Sequence, residues 1–396
     1  MKWKFRLGAV AGNTLEYYDI AVFAAISVYL SAELERLGYS SATEMVWGIF
    51  ALRFLARPIG GYVIGRYADR VGKKPALVFT SLLTGTATLC MAILPIQLLG
   101  SYTPIAILML QLILSFSFGG EYPSLITYLL NNISEKECSK VSSLIVGSSI
   151  IGVIISLAVV LVLENQLTVE MMQSIGWRIP LLLGLVNIAI SFWFRLKLPD
   201  QPLVEKRNNK MSGFKILQIF LLTVPGTVTF YSQNISSSIL SEHLQLGELK
   251  SLYSIVLSSL LLVFMLICGW LTDKYSSPQK IFRLGVFGMV LLSIPLYFAM
   301  SSGIMILVSI AQLIIIINGA MILCNLSAIL FSISGGQTVV LAVGYNLATT
   351  FIGGITPLVI SYLVGINVGY VGGFIALCGL TFLLSSSLSK NYQLAS

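Results

Sequence analysis

Gly65-Arg66-Tyr67-Ala68-Asp69-Arg70 and, far downstream, Gly269-Trp270-Leu271-Thr272-Asp273-Lys274 share one form, G-x-x-x-D-[RK]. Each stands in a polar break between two long apolar runs. The first lies between the second and third runs, the second between the eighth and ninth. One device at the same place in two sets of six runs marks a parallel internal repeat. The copies are unequal: the first continues Val71-Gly72-Lys73-Lys74, and the second decays into Tyr275-Ser276-Ser277.

The runs themselves set the class. Of 396 residues, 56% are hydrophobic and 10% charged, and mean hydropathy is +0.90. A water-facing domain carries roughly 25% charged residues. Crossing about 30 Å of hydrocarbon takes some 20 helical residues. The spacing predicts twelve spans, at 7–31, 45–67, 75–97, 102–130, 141–163, 178–197, 214–240, 251–272, 281–300, 303–331, 338–364 and 367–388. Helix is the expected state, because backbone groups in lipid must be satisfied within the segment and no barrel-like alternation is visible. The hydrophilic stretch after span 6, with Pro199 and Pro202, divides the chain into a six-helix bundle at 1–198, a cytoplasmic linker at 199–213 and a second bundle at 214–396.

The net charge of +8 is distributed as a membrane topology, not as a nucleic-acid surface. With the N-terminus in the cytoplasm, Lys2, Lys4 and Arg6 lie inside, as do Arg66, Arg70, Lys73, Lys74, Lys136 and Lys140. Arg195, Lys197, Lys206, Arg207, Lys210 and Lys215 follow in the central loop, then Lys274, Lys280, Arg283 and Lys390. Arg36, Arg178 and Lys250 lie outside. This bias places both termini in the cytoplasm. Basic residues before an apolar run resemble a secretory leader, but Glu16 and Asp19 interrupt that run, and it reads as a retained first span. Five scattered cysteines show no metal or redox spacing and read as small core residues. No metal or cofactor is expected.

Five ionisable residues fall at membrane depth: Glu16 and Asp19 in span 1, Arg53 and Arg57 in span 2, and Glu121 in span 4. Each costs roughly 2.5–3.5 kcal/mol at a helix centre unless it pairs or lines water. Glu16 and Asp19 are three apart, and Arg53 and Arg57 four apart, so each pair shares a helical face. A carboxylate–guanidinium cluster between the neighbouring spans 1 and 2 is the economical arrangement. It serves either as a structural clamp or as a proton or substrate site. Glu121 is the foremost candidate for titration, since Gly119-Gly120 thin the helix beside it and leave room for water. Tyr17, Tyr18, Tyr122, Tyr231 and Tyr345, with Asn234, Asn318 and Asn346, offer faces and hydrogen bonds to a solute. His243 reads as a solvated loop residue.

These pieces, taken together, resemble the major facilitator superfamily. Arg57-Pro58-Ile59-Gly60-Gly61 with the segment Gly65 to Lys74 is similar to that family's signature between spans 2 and 3. Gly12-Asn13, Glu16-Tyr17-Tyr18-Asp19, Gly119-Gly120-Glu121-Tyr122, Gly176-Trp177-Arg178-Ile179-Pro180, Leu198-Pro199-Asp200-Gln201-Pro202 and Gly344-Tyr345-Asn346 resemble its metabolite:proton symporter branch. The resemblance implies an all-α membrane protein of two pseudo-symmetric six-helix bundles rocking about a central site, a monomer in a bacterial cytoplasmic membrane. It implies a cytoplasmic gate of Gly65, Asp69, Arg70, Gly72, Lys73 and Lys74, with Asp273 in the second copy. Asp69 would cap a helix end, as a carboxylate at a helix N-terminus does favourably, and Arg70 would hold it there.

Departures accompany the matches. Relatives carry an arginine in span 4 where this chain has Gln111, and small glycine-rich positions nearby become Ser115 and Ser117. Arg53 stands where relatives are small and uncharged, and the expected arrangement has it replace the missing charge as partner of Glu121. The loop between spans 10 and 11 is reduced to Ser332–Gln337, and the gate of the second half reads as weakened.

Spans 7 to 12 contain no intramembrane Lys or Arg to clamp a second carboxylate. With three acids against two arginines, and tyrosines and amides opposite, a small zwitterion such as a betaine or amino acid fits the expected site, taken up with protons. A dicarboxylate, citrate or shikimate-like solute, and an uncoupled facilitator, are the alternatives. A channel would need a filter-like loop, and an enzyme a nucleophile and base, and neither is apparent.

Overall fold

In lipid a backbone has no hydrogen-bond partner but itself, and the computed structural model of the chain is built from helices. It describes residues 3–131, 133–201, 211–234 and 250–386, with no strand among them. His243 and the greater part of the expected linker, 202–210, lie outside the described residues, as does the expected continuation of span 7 beyond Asn234. Eleven helices among the described residues are long and apolar enough to cross a membrane. Span 1 is Trp3–Arg36, span 3 Lys73–Ala92, span 4 Thr103–Leu130, span 5 Cys138–Gln166 and span 6 Arg178–Leu196. Span 7 is Gly213–Asn234, span 8 Lys250–Tyr275, span 9 Pro278–Ser301 and span 10 Met305–Ser334. Span 11 runs from Thr338 to Ile366 and span 12 starts at Val368.

Span 2 is the twelfth, and it is made of two helices, Ala42–Arg53 and Ala56–Arg70. The break has a local cause. Pro58 lacks an N–H and its ring presses on the carbonyl four residues back, at Phe54. The backbone there tightens to three-residue bonds, from Leu55 N to Leu52 O and from Arg57 N to Phe54 O, both 3.1 Å. Arg53 therefore sits at a helix C-terminus, the end that favours a cation. Span 11 shows the same physics: Pro357 stands four residues after Gly353, where a π-turn spans Thr349–Gly353.

Two compact units result. The first is Met1–Tyr128 with Ser148–Asn208, and the second is Leu129–Gly147 with Asn209–Ser396. In the first, Val22, Phe23, Ile26 and Leu30 of span 1 pack with Val46 and Ile49 of span 2, Met91 of span 3 and Trp177 before span 6. Its helices approach to backbone distance at glycines. A Cβ on Gly60 would lie 1.9 Å from Phe116 O, and one on Gly119 2.1 Å from Arg57 O. Such contacts exclude any side chain and hold membrane helices by close packing. Gly119-Gly120 thus seat span 4 on span 2, with Ile64 against Gly120. The room expected there for water is taken up by helix contact.

In the second unit the opening turns of span 5 join spans 8 and 10. Asp273 accepts hydrogen bonds from the backbone N–H of Ser139 (2.9 Å) and Lys140 (2.8 Å). Ser139 Oγ donates to Asn325 Oδ1 at 2.7 Å. The carboxylate caps the first turn of span 5, where free N–H groups and the helix dipole favour an anion. The second copy of the repeat decays after its Asp-Lys pair, yet both oxygens of its carboxylate accept a backbone hydrogen bond.

Candidate functional site

The first unit gathers its membrane charges into three acid–arginine pairs. Arg57 Nη2 lies 3.7 Å from Glu16 Oε1, and Arg53 Nη2 lies 3.6 Å from Asp19 Oδ2. Glu121 Oε1 receives Arg195 Nη2 at 2.5 Å. All six side chains are at most 7% exposed. The partner expected for Glu121 was Arg53, and the structure gives it Arg195 instead. Arg53 reaches the position of the missing span-4 arginine in another way: its Nη1 donates to Gln111 Oε1 at 2.6 Å and its Nε to Ser115 Oγ at 3.3 Å. It brings a positive charge to that place, but the acid it faces is Asp19.

Arg195 was counted among the cytoplasmic charges after span 6, where it is indistinguishable in sequence from neighbouring Lys197. The fold buries it completely. Its guanidinium also donates to Leu77 O at 3.0 Å and to Ser81 Oγ. A Cβ on Gly12 would stand 1.8 Å from Arg195 Nη2, so the glycine of the Gly12-Asn13 pair makes the space the guanidinium fills. Asn13 Nδ2 donates to Ser148 Oγ and Ser149 Oγ at 2.9 and 2.8 Å. Three acids now face three arginines, and the expected excess of acid disappears.

The pairs differ in kind. Glu121–Arg195 is a charge-assisted hydrogen bond, whereas the Asp19 and Glu16 pairs stand beyond hydrogen-bond distance. Asp19 Oδ2 and Glu16 Oε2 are buried with no hydrogen-bond donor. Around the cluster, Tyr17 meets Tyr122 edge-on at 6.4 Å. Tyr18 turns away and donates to Pro180 O at 2.7 Å.

The residues expected to form the gate lie at the end of span 2 and the start of span 3. Gly72 has φ +134°, a backbone region that L side chains rarely adopt, and it turns the chain into span 3. Gly65 is buried, Asp69 half-buried and Arg70 exposed. Lys73 Nζ donates to Thr127 O at 3.1 Å, and Lys74 pairs with Asp200 at 3.2 Å. Pro199 O and Gln201 Nε2 bond to Tyr128 Oη and O at 2.9 and 2.8 Å. The segment after span 6 is therefore fastened to the end of span 4.

The second unit has no buried charge among the described residues. Gln312 Nε2 of span 10 donates to Gln233 Oε1 of span 7 at 2.6 Å, leaving Gln312 Oε1 buried without a donor. Beside this pair lies a cavity of about 330 Å³, bordered by Ser232, Gln233, Ser293 and Asn318. Neither glutamine was foreseen, although both stand in the sequence as amides inside apolar runs. The expected asparagines largely serve their own helices: Asn234, Asn318 and Asn346 donate to Phe230 O, Ile314 O and Ala342 O, each four residues back. Tyr231 is buried against Gly353 of the π-turn, and Tyr345 is buried in span 11.

Comparison with known proteins bears on all of this. The family model described as Major Facilitator Superfamily matches residues 10–356. The "Putative proline/betaine transporter" of Staphylococcus aureus is 29% identical over 378 residues, covering 89% of this chain and 80% of its own. The citrate-proton symporter of Klebsiella pneumoniae is 25% identical over 407 residues, covering 95% and 90%. Among solved structures, the proton:xylose symporter XylE superposes with TM-score 0.79 at 16% identity, covering 98% of this chain and 95% of that one, a likeness of fold alone.

Proposed function

From the premise that this chain belongs to the Major Facilitator Superfamily, and so is a multi-pass membrane transporter of a small molecule, we propose that it moves a zwitterion such as a betaine or amino acid together with a proton. The cytoplasmic membrane, with both termini inside, is its proposed location. The observation that carries the reading is the set of three acid–arginine pairs. Each guanidinium of these three pairs faces an acid of the same unit, so none of the three is left over as a clamp for a di- or tricarboxylate. Among the described residues, the buried polar side chains of the second unit are amides and hydroxyls, which suit a solute of low net charge. The 29% identical relative described as a proline/betaine transporter supports the same class.

Asp19 is the proposed proton acceptor. Its carboxylate is held by a 3.6 Å ion pair to Arg53 rather than by a hydrogen bond, so a proton on Asp19 gives up no hydrogen bond, and Arg53 keeps its hydrogen bonds to Gln111 and Ser115 when that acid is neutral. Glu16, held by a 3.7 Å ion pair to Arg57, is the proposed second member of the relay. Glu121, locked by Arg195, is assigned a structural task. Uptake of radiolabelled glycine betaine, proline and citrate into proteoliposomes tests this. Accumulation of betaine or proline above equilibrium, driven by an acidic exterior and abolished by a protonophore, is the expected result, with Asp19→Asn at least tenfold slower. Concentration of citrate alone would transfer the assignment to the carboxylate class, as the citrate-proton relative allows. Equilibration without accumulation would make the protein a facilitator.

A further inference from the structure

Inside the first unit, Tyr18 and Asp19 of span 1, Thr84 and Thr88 of span 3, and Gly184 of span 6 border a small cavity with room for about one water. Two of the bordering residues carry a buried oxygen with no hydrogen bond: Thr88 Oγ1, and Asp19 Oδ2, which has only the 3.6 Å ion pair to Arg53. An unsatisfied buried group costs about 1–3 kcal/mol, and a buried water with two to four polar neighbours removes that cost. Below the cavity, span 3 carries Thr80, Ser81, Thr84 and Thr88 on one face, at helical spacing. Thr84 Oγ1 and Ser117 Oγ are 2.9 Å apart, and Ser117 Oγ donates to Thr80 O at 2.9 Å. Ser81 Oγ accepts from Arg195. The hydroxyl stripe thus runs from the Glu121–Arg195 pair to Asp19.

We propose that this cavity is a proton-access compartment: it holds an ordered water between Asp19 Oδ2 and Thr88 Oγ1, through which Asp19 is protonated from within the first unit. The inference rests on the proton-coupled reading above and adds the route. A hydronium passes one proton to Oδ2, leaving a neutral acid and a water, and the reverse step returns it. The charged group facing Asp19 is Arg53 from span 2; spans 3 and 6 present only Thr84, Thr88, Leu181, Gly184 and Ile188. Glu16, Arg57, Glu121 and Arg195 complete the surrounding charges. Thr88 and Leu181 lie toward the ends of their helices that the charge bias puts outside. There Trp177 Nε1 donates to Glu33 Oε2 at 2.5 Å and Arg178 Nη1 to Ala92 O at 3.0 Å.

Thr88→Val removes the hydroxyl at equal volume, and Thr88→Ser restores it. In proteoliposomes holding the solute identified above, Thr88→Val is expected to slow uptake driven by a pH gradient at least tenfold. Solute counterflow at equal pH, which needs no net proton movement, should stay within about twofold of the unaltered protein. Thr88→Ser should behave as the unaltered protein in both assays. Equal rates for Thr88→Val and the unaltered protein in both assays would overturn the route, as would parallel loss of both activities in folded protein. If the unaltered protein itself shows counterflow but no gradient-driven uptake, the coupling reading fails, and the route with it. Radiolytic hydroxyl labelling of the unaltered protein reads the water independently of folding variants. Oxidation at Leu181 or Ile188 is expected; labelling confined to exposed side chains would overturn the proposal.

Discussion

The two units solve the problem of polarity in lipid by different means. The first buries acids and arginines in pairs, and the second buries glutamines, asparagines, serines and threonines without charge among the described residues. A buried ion pair holds its geometry stiffly, because losing one member leaves a charge in low dielectric. Amides carry a smaller penalty and can change partners. The comparison teaches that, among the described residues, buried charge is confined to the first unit, while buried neutral polarity occurs in both.

The sharpest way to break that contrast is Arg195→Ala. It leaves Glu121 buried and unpaired, and should lower stability by about 3–5 kcal/mol, read as a large fall in thermal midpoint in detergent. Gly12→Ala attacks the same pair from outside. Its methyl would collide with the guanidinium, and overpacking should cost about 1–3 kcal/mol. The double variant Gly12→Ala with Arg195→Ala should lose less than the sum of the two, which thermal unfolding of all three variants checks. In the second unit, Asp273→Ala removes a helix cap and should cost about 0.5–2 kcal/mol, with Asp273→Asn intermediate. The smallest stability effect is expected for Gln312→Leu, which deletes one neutral hydrogen bond and leaves Gln233 Oε1 without that donor, about 1 kcal/mol at the low end for such a group. Its useful readout is KM, expected to rise, with the pH dependence of uptake unchanged. A shift in pH dependence from Gln312→Leu would erase the division between the units.

Much of this molecule can be read from the order of its residues. Helix spacing puts Glu16 with Asp19, and Arg53 with Arg57, on matching faces, and the structure sets them 3.6–3.7 Å apart as two pairs. The repeat at Gly65 and Gly269 marks two sets of six helices. Arg195 escaped, because a cation near the end of a span looks the same whether it snorkels to water or turns inward. Only the vacancy at Gly12 and the acid on span 4 decide its direction. The pairing of Arg53 with Asp19 escaped for a related reason: Pro58 breaks span 2, and the register of the guanidinium past that break is a matter of tertiary contact.

The sequence by itself determined that the chain lives in a bilayer, as twelve helices in two halves, with the charge at membrane depth read in the first. Hydropathy, helical period and the cost of unsatisfied backbone in lipid are local quantities, and they suffice for that much. Which acid meets which arginine, which oxygen is left without a donor, and which glycines become contact surfaces were decided by tertiary structure alone. Those depend on distances of tenths of an ångström between helices far apart in the chain, and short-range forces such as hydrogen bonds and steric contact are set at that scale.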